Sequence, residues 1–191
     1  NQSSMAKTGN HKSWIRFLYT HPRTLSKQII QTVKERDNIC SYYDLPIQHA
    51  SSDVLKKMGR PYTHNDLIEL VKRIRKIDPD AALRTTLIVG FPGETEKDFQ
   101  TLLAFIKEIQ FDHLGVFTYS DSDDLKSHGF KNHVPAEIAE KRQDLIMATQ
   151  AEISKSINEK HVGKVLETLI EENPEEGVYI GRTKFQAPDV D

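Results

Sequence analysis

Short apolar segments alternate with stretches of helical spacing four times before Gly163, and this alternation restricts the fold more than any other feature of the chain. The apolar segments are WIRFLY (Trp14 to Tyr19), YYDLPI from Tyr42, LRTTLIVG from Leu83 and HLGVFTYS from His113. After the first, Ser26 is placed to cap a helix carrying Ile29, Ile30 and Val33. After the second come SSDVLKKMG and THNDLIELVKRIRKI. The latter sets Leu67, Leu70, Val71, Ile74 and Ile77 on one stripe, with Thr63 and Asp66 at capping-box spacing. The third leads to Phe99, Leu102, Leu103, Ile106 and Ile109, and the fourth passes through a polar loop to a long helix beginning near Pro135. Repeated βα units require parallel strands joined by right-handed crossovers, with a ligand site at the carboxyl ends of the strands. Closing a barrel takes about eight strands. Four therefore predict either an open sheet or early strands lying upstream. From Gly163 the texture changes to GKVLETLIEE, an acidic turn with a proline, and GVYIGRTKFQAPDVD, which read as a β-hairpin opening a small all-β module. The expected domains are residues 1–162 and 163–191.

Charge and cysteine content narrow the surroundings. The formal net charge of −2 gives no sign of a polyanion-binding surface. The single cysteine, Cys40, excludes an internal disulfide and fits a reducing compartment. No apolar run approaches the roughly 20 residues that span a bilayer, and NQSSMAKTGNHKS carries no signal-peptide core. The expectation is a cytoplasmic protein without membrane attachment.

The segment GFPGET allows two readings. Gly90 and Gly93 flank Phe91-Pro92 where an apolar strand ends, and a flat ligand could lie against the backbone that glycine leaves bare. Equally, it is a strand-to-helix turn. In that case Glu94 and Thr95 open the next helix, the first favoured by the macrodipole and the second acting as cap.

Three blocks, DLPIQHASSDVLKKMGRPYT, RTTLIVGFPGETEKDF and FDHLGVFTYS, resemble the second half of the core of the radical S-adenosylmethionine methylthiotransferases. The run Ile88 to Thr95 is the nearest to that family. The looser superfamily pattern Gly-x-Ile-x-Gly-x-x-Glu fits less well, since Thr86 stands where its first glycine belongs and Glu94 comes one residue late. QHAS at Gln48 to Ser51 and the ending GRTKFQAPDVD resemble the RimO-type branch, which methylthiolates an aspartate of ribosomal small-subunit protein twelve. The sibling branch, acting on tRNA adenosine, usually has Ser-Gly-Ser after the glutamine. The resemblance implies an α/β fold, a parallel-sheet partial (β/α) barrel of the radical SAM type, followed by the start of a TRAM-like β module. It also implies S-adenosylmethionine and [4Fe-4S] clusters. Three cysteines hold a cluster whose open iron binds and cleaves S-adenosylmethionine, and the resulting radical takes hydrogen from the aspartate β-carbon. Sulfur insertion and a second methyl donor complete the group.

This sequence has no Cys-x-x-x-Cys-x-x-Cys, so the cluster ligands are expected upstream of Asn1, no metal ligand is assigned here, and the catalytic residues are left unassigned. The resemblance leaves a nucleoside cradle formed by Gln48, Arg84, Val89, Gly90, Gly93, Glu94, Phe117 and Tyr119. Each also has a plainer reading. Gln48 could order its loop, Arg84 could pair with a neighbouring acid, and Phe117 and Tyr119 could be core. His21 and His49 follow strand ends and could line the site, whereas His113 begins a strand and is expected far from it. Cys40 is expected to be a packed thiol. Glu171, Glu172, Glu175 and Glu176 suit either a basic ribosomal protein or a solvated hairpin tip. The partners implied are that ribosomal protein as substrate and an electron-donor protein, with nucleic acid not the direct substrate. A tRNA-modifying enzyme and a cluster-less nucleoside-binding module are the alternatives.

Overall fold

The structure, a computed structural model, describes residues 13–188 and 191. Its elements run β1 (Ile15–Phe17), α1 (Lys27–Glu35), β2 (Ile39–Asp44), α2 (Ser52–Lys57), α3 (His64–Ile77), β3 (Ala82–Val89), α4 (Glu96–Ile109) and β4 (His113–Thr118). A 3₁₀ turn (Lys126–Gly129), α5 (Ala136–Glu159), β5 (Thr168–Glu175) and β6 (Val178–Thr183) follow. The first four strands form one parallel sheet in the order β1-β2-β3-β4, and β5 pairs antiparallel with β6 as the expected hairpin. Among the described residues the parallel sheet is open, with β1 and β4 at its edges.

The helices begin where local chemistry sets them. Ser26 Oγ accepts from the Ile29 amide, and both Thr63–Asp66 and Thr95–Asp98 form complete capping boxes that satisfy amides otherwise left bare at a helix start. Leu67, Leu70, Val71 and Ile74 of α3 are buried together with Phe99, Leu102 and Ile106 of α4, while Ile77 packs at the edge of the same core. Within the sheet the period of two divides the residues cleanly. Leu83, Leu87 and Val89 face the helices, whereas Arg84, Thr86 and Ile88 face the other, inner side and are half-buried.

Two expectations are corrected. The second strand begins at Ile39, because Ile39 pairs with Ile15 of β1, so Cys40 lies inside a strand. Cys40 is a buried thiol packed with Tyr42, Ala82 and Ala187, as expected for a structural residue, and burial pushes its pKa up. Ile29 does not join the buried stripe of α1: it is largely exposed while Ile30 and Val33 are buried, since adjacent helical positions point about 100° apart.

The inner face closes at one end. Trp14 and Phe185 pack against Cys40, Tyr42 and Ala82 there, and the Asp191 carboxylate accepts from Tyr42 Oη at 2.8 Å and lies 3.3 Å from Arg84 Nε. Among the described residues no helix is long and apolar enough to cross a membrane.

Candidate functional site

The carboxyl ends of β2, β3 and β4 open onto a cleft of about 670 Å³ on the inner face. Thr86, Ile88, Phe91, Phe117 and Tyr119 form its floor and walls, Gln48 enters from the end of β2, and Met58 to Arg60 and Leu125 to Ser127 form the rim. The register explains the grouping, since Ile88 sits opposite Phe117 and Thr86 opposite Gly115 on the inner side of the β3–β4 ladder. Phe117 is 61% exposed, which for an aromatic ring on a strand leaves a free flat face. Phe91 meets Tyr119 edge-to-face at 5.2 Å, and the Tyr119 hydroxyl lies 2.9 Å from Asp121 Oδ1 and 2.8 Å from Ser127 Oγ. His128 holds Asp121 in turn, at 2.8 Å, and this bond keeps the carboxyl below its usual pKa. A broader cavity of about 890 Å³ adjoins the cleft on the α2–α4 side and shares Lys56, Lys57, Lys126 and Phe130 with it.

Gln48 occupies an unusual position. Its φ is +68°, which for a residue with a Cβ costs about 1–2 kcal/mol. Backbone bonds on both sides hold it there, from Gln48 N to Thr86 O at 2.9 Å and from Ile88 N to Gln48 O at 2.8 Å. Its amide nitrogen has only a long contact to Pro46 O, at 3.4 Å, so the side chain is poised at the cleft with hydrogen-bonding capacity left over.

Other residues of the expected cradle are placed elsewhere. Arg84 lies toward the closed end, outside the lining of the cleft, where its guanidinium bonds Asp44 Oδ1 and Thr86 Oγ1 at 3.0 and 3.2 Å and meets Asp191. Burial opposes its charge, but the bond and the charges of Asp44 and Asp191 prevail and raise its pKa. The Val89 side chain is buried toward the helices, and its carbonyl accepts from Tyr119 N. Gly90 has φ +78°, and a Cβ there would stand 2.6 Å from Ala139 Cβ of α5. The close approach that requires this glycine is thus a helix. Gly93 also has φ +78°, and its open side faces the end of the Lys57 side chain, with Lys57 Nζ donating to Gly93 O at 2.7 Å.

Glu94 departs from the expected helix-opening role. It precedes the cap Thr95 and folds back, accepting the Gly90 and Phe91 amides on Oε2 while Arg142 donates to Oε1 at 3.1 Å. Arg142, from the middle of α5, escaped sequence reasoning because nothing local links it to residue 94. His49 is wholly buried, with Nδ1 accepting the Ser51 amide at 2.9 Å and Nε2 lying 3.9 Å from Glu94 Oε1. It lines no part of the cleft. His21 stacks edge-on against Tyr62, and His113 bonds Phe185 O at 2.8 Å near the closed end. Lys56, Arg60 and Lys126 were not singled out from the sequence, and a basic residue on a helix or loop gives no signal that would have found them.

The cleft lies at the carboxyl ends of the strands, where a parallel βα sheet takes its ligand, and the radical SAM superfamily pattern matches residues 4–106, more than half of the chain. The chain belongs to the radical SAM superfamily. A TRAM domain pattern matches residues 162–191, consistent with the β5–β6 hairpin. Among similar proteins, the ribosomal protein uS12 methylthiotransferase RimO of Desulfosudis oleivorans is 51% identical over 93% of this chain and 40% of its own length. RimO of Clostridioides difficile is 46% identical over 98% of this chain and 42% of its own. RimO of Thermotoga maritima is 45% identical over 95% and 42%. The resemblance to the RimO-type methylthiotransferases is thereby borne out, and the chain spans about two fifths of the length of the relatives it matches. Residues able to hold an iron–sulfur cluster are not among those described. No group of three His, Cys, Asp or Glu converges there, and the one thiol is packed in the sheet. A radical SAM nucleoside finds a better fit, since the cleft offers aromatic faces beside an unsatisfied amide.

Proposed function

We propose that this chain is the nucleoside-binding portion of a cytoplasmic radical SAM methylthiotransferase that modifies an aspartate of the small-subunit protein uS12. The observation that carries the reading is the aromatic cleft at the ends of β2, β3 and β4, in a chain whose relatives bear that name. In this reading residues 1–162 belong to the catalytic core and 163–191 to the TRAM module. The adenosine end of S-adenosylmethionine lies between Ile88, Phe117 and Tyr119, because base–aromatic stacking is favourable by about 1–3 kcal/mol. Gln48 donates from its free amide to ribose hydroxyls. Bound S-adenosylmethionine supplies the radical and the methyl group, and a [4Fe-4S] cluster with an electron-donor protein supplies the electron. The cluster cysteines belong to the part of the complete protein that this chain does not span. What these residues contribute is binding and orientation, holding a reactive ligand in one geometry on a rigid sheet.

The test is to reconstitute the complete protein with its cluster and offer it a uS12 peptide or a tRNA anticodon stem-loop. A methylthio group detected on the peptide aspartate by mass spectrometry is expected. Modification of the RNA alone would assign the chain to the tRNA branch, and S-adenosylmethionine binding that survives Phe117→Ala and Gln48→Ala unchanged would remove the cleft from the reading.

A further inference from the structure

The cleft carries a charge asymmetry that the chain as a whole does not. Lys56, Lys57, Arg60 and Lys126 line it and no Asp or Glu does, although acidic residues outnumber basic ones by 28 to 26 overall. Among the described residues Lys56, Arg60 and Lys126 have no ion-pair partner, and Lys57 is committed to a backbone carbonyl. The carboxylates nearby are spoken for. Asp121 is held by His128 and by the Tyr119 hydroxyl, and Asp98 accepts from Ser51 Oγ at 2.5 Å and from Thr95. Asp53 lines only the adjoining cavity, one turn back along α2.

Clustered cations without counter-charges repel one another, and an incoming anion relieves that repulsion. S-adenosylmethionine is a poor match for this rim, because its ammonium and sulfonium accompany its only carboxylate. A side-chain carboxylate brings negative charge alone. We propose that the rim of Lys56, Arg60 and Lys126 docks the side-chain carboxylate of the acidic residue to be modified, setting its β-carbon at the mouth of the cleft beside the nucleoside on the aromatic floor. This rests on the function proposed above. Arg60 and Lys126 both line the cleft, one from the turn after α2 and one from the loop after β4. Together they clamp a small anion where either alone would leave it free to rotate. These are positioning residues, since the bond that breaks is on the neighbouring carbon.

The test uses the complete protein loaded with its cofactors. Dissociation constants are measured for a uS12 peptide bearing the target aspartate and for the same peptide with asparagine there, in the wild type and in Arg60→Gln and Lys126→Gln. S-adenosylmethionine affinity is measured alongside. A charged hydrogen bond is worth roughly tenfold in affinity, so the wild type should prefer the aspartate peptide by about that factor. Each variant should lose the preference while asparagine-peptide and S-adenosylmethionine affinities stay within about twofold, roughly three tenths of the tenfold signal in free-energy terms. No preference in the wild type, or equal weakening of both peptides, would overturn the proposal. Selective loss of S-adenosylmethionine affinity would give the rim to the cofactor instead, and weakened binding of a stem-loop RNA with the peptides unaffected would give it to nucleic acid. A wild type that binds no S-adenosylmethionine at all would defeat the underlying function, a result separate from these.

Discussion

The inner face of the sheet has two ends built on opposite principles. At the closed end every charged group named has its partner: Arg84 with Asp44 and Asp191, Asp44 also with the Tyr19 amide, and Tyr42 with Asp191. At the open end Lys56, Arg60 and Lys126 have none among the described residues, and the Phe117 ring is 61% exposed. A buried charge without a partner costs several kcal/mol, so pairing is obligatory where water is excluded. Where a cleft admits water, unpaired charge costs little and remains available to a ligand. The two ends differ by only a few residues along β3, from Arg84 to Ile88, and the same strand therefore serves both stability and binding.

The largest effect expected marks where one regime gives way to the other. Gly90→Val adds a strained φ worth about 1–2 kcal/mol and a clash with Ala139 of the kind that costs about 1–3 kcal/mol, together about 4 kcal/mol in a denaturant titration of the complete protein. Ala139→Gly in the same chain should return only the clash portion. If Gly90→Val instead leaves stability intact and removes S-adenosylmethionine binding, the turn belongs to the ligand and the boundary is misplaced. Next is Arg84→Ala, which strands Asp44 and should destabilise by about 3 kcal/mol. Adding Asp44→Asn should recover part of that loss. A loss under about 0.5 kcal/mol, the usual range for a surface change, would mean that the closed end is as wet as the open one.

The part of this contrast visible in the sequence is the part with local causes. The alternation of strands and helices, capping at Thr63 and Thr95, and the hairpin follow from neighbours a few residues apart. The start of β2 at Ile39 was missed because its pairing partner, Ile15, lies on another strand. Glu94 suits the opening acid of a helix by position and type, whereas the deciding partner, Arg142, comes from α5. Gln48, Phe117 and Tyr119 were singled out and do meet at the cleft, since each follows or ends a strand in a fold that gathers such residues. Arg84 was singled out too, yet two residues nearer the strand start put it among carboxylates at the closed end. The cationic rim was illegible, because it exists only when the turn after α2 and the loop after β4 meet.

At the open end a side chain should be removable with little structural consequence. Phe117→Ala is expected to change stability by no more than about 0.5 kcal/mol, as for other exposed positions, and to lower S-adenosylmethionine affinity about tenfold through lost stacking. Isothermal titration beside a melting curve separates the two. A melting temperature that collapses along with affinity would make Phe117 part of the core, and the contrast between the ends would then blur at β4.

The smallest effect concerns a carboxylate that borders the open end without serving it. Asp98 is nearly buried, and burial alone would raise its pKa. The bonds from Ser51 and from Thr95 outweigh that and hold it below the usual carboxylate value. Because the folded-state pKa lies below the unfolded value of about 3.9, the stabilisation is full at neutral pH and fades as pH falls through the folded value. Asp98→Asn should therefore cost about 1 kcal/mol at pH 7, the usual worth of a cap, and progressively less below about pH 4. If the carboxylate instead answered to Lys56 and Lys57, the cost would fall with added salt at neutral pH, since exposed ion pairs are screened over about 10 Å at 0.1 M. Insensitivity to salt combined with sensitivity to acid would leave the lysines without an internal counter-ion, which is the condition that makes the open end a place for someone else's carboxylate.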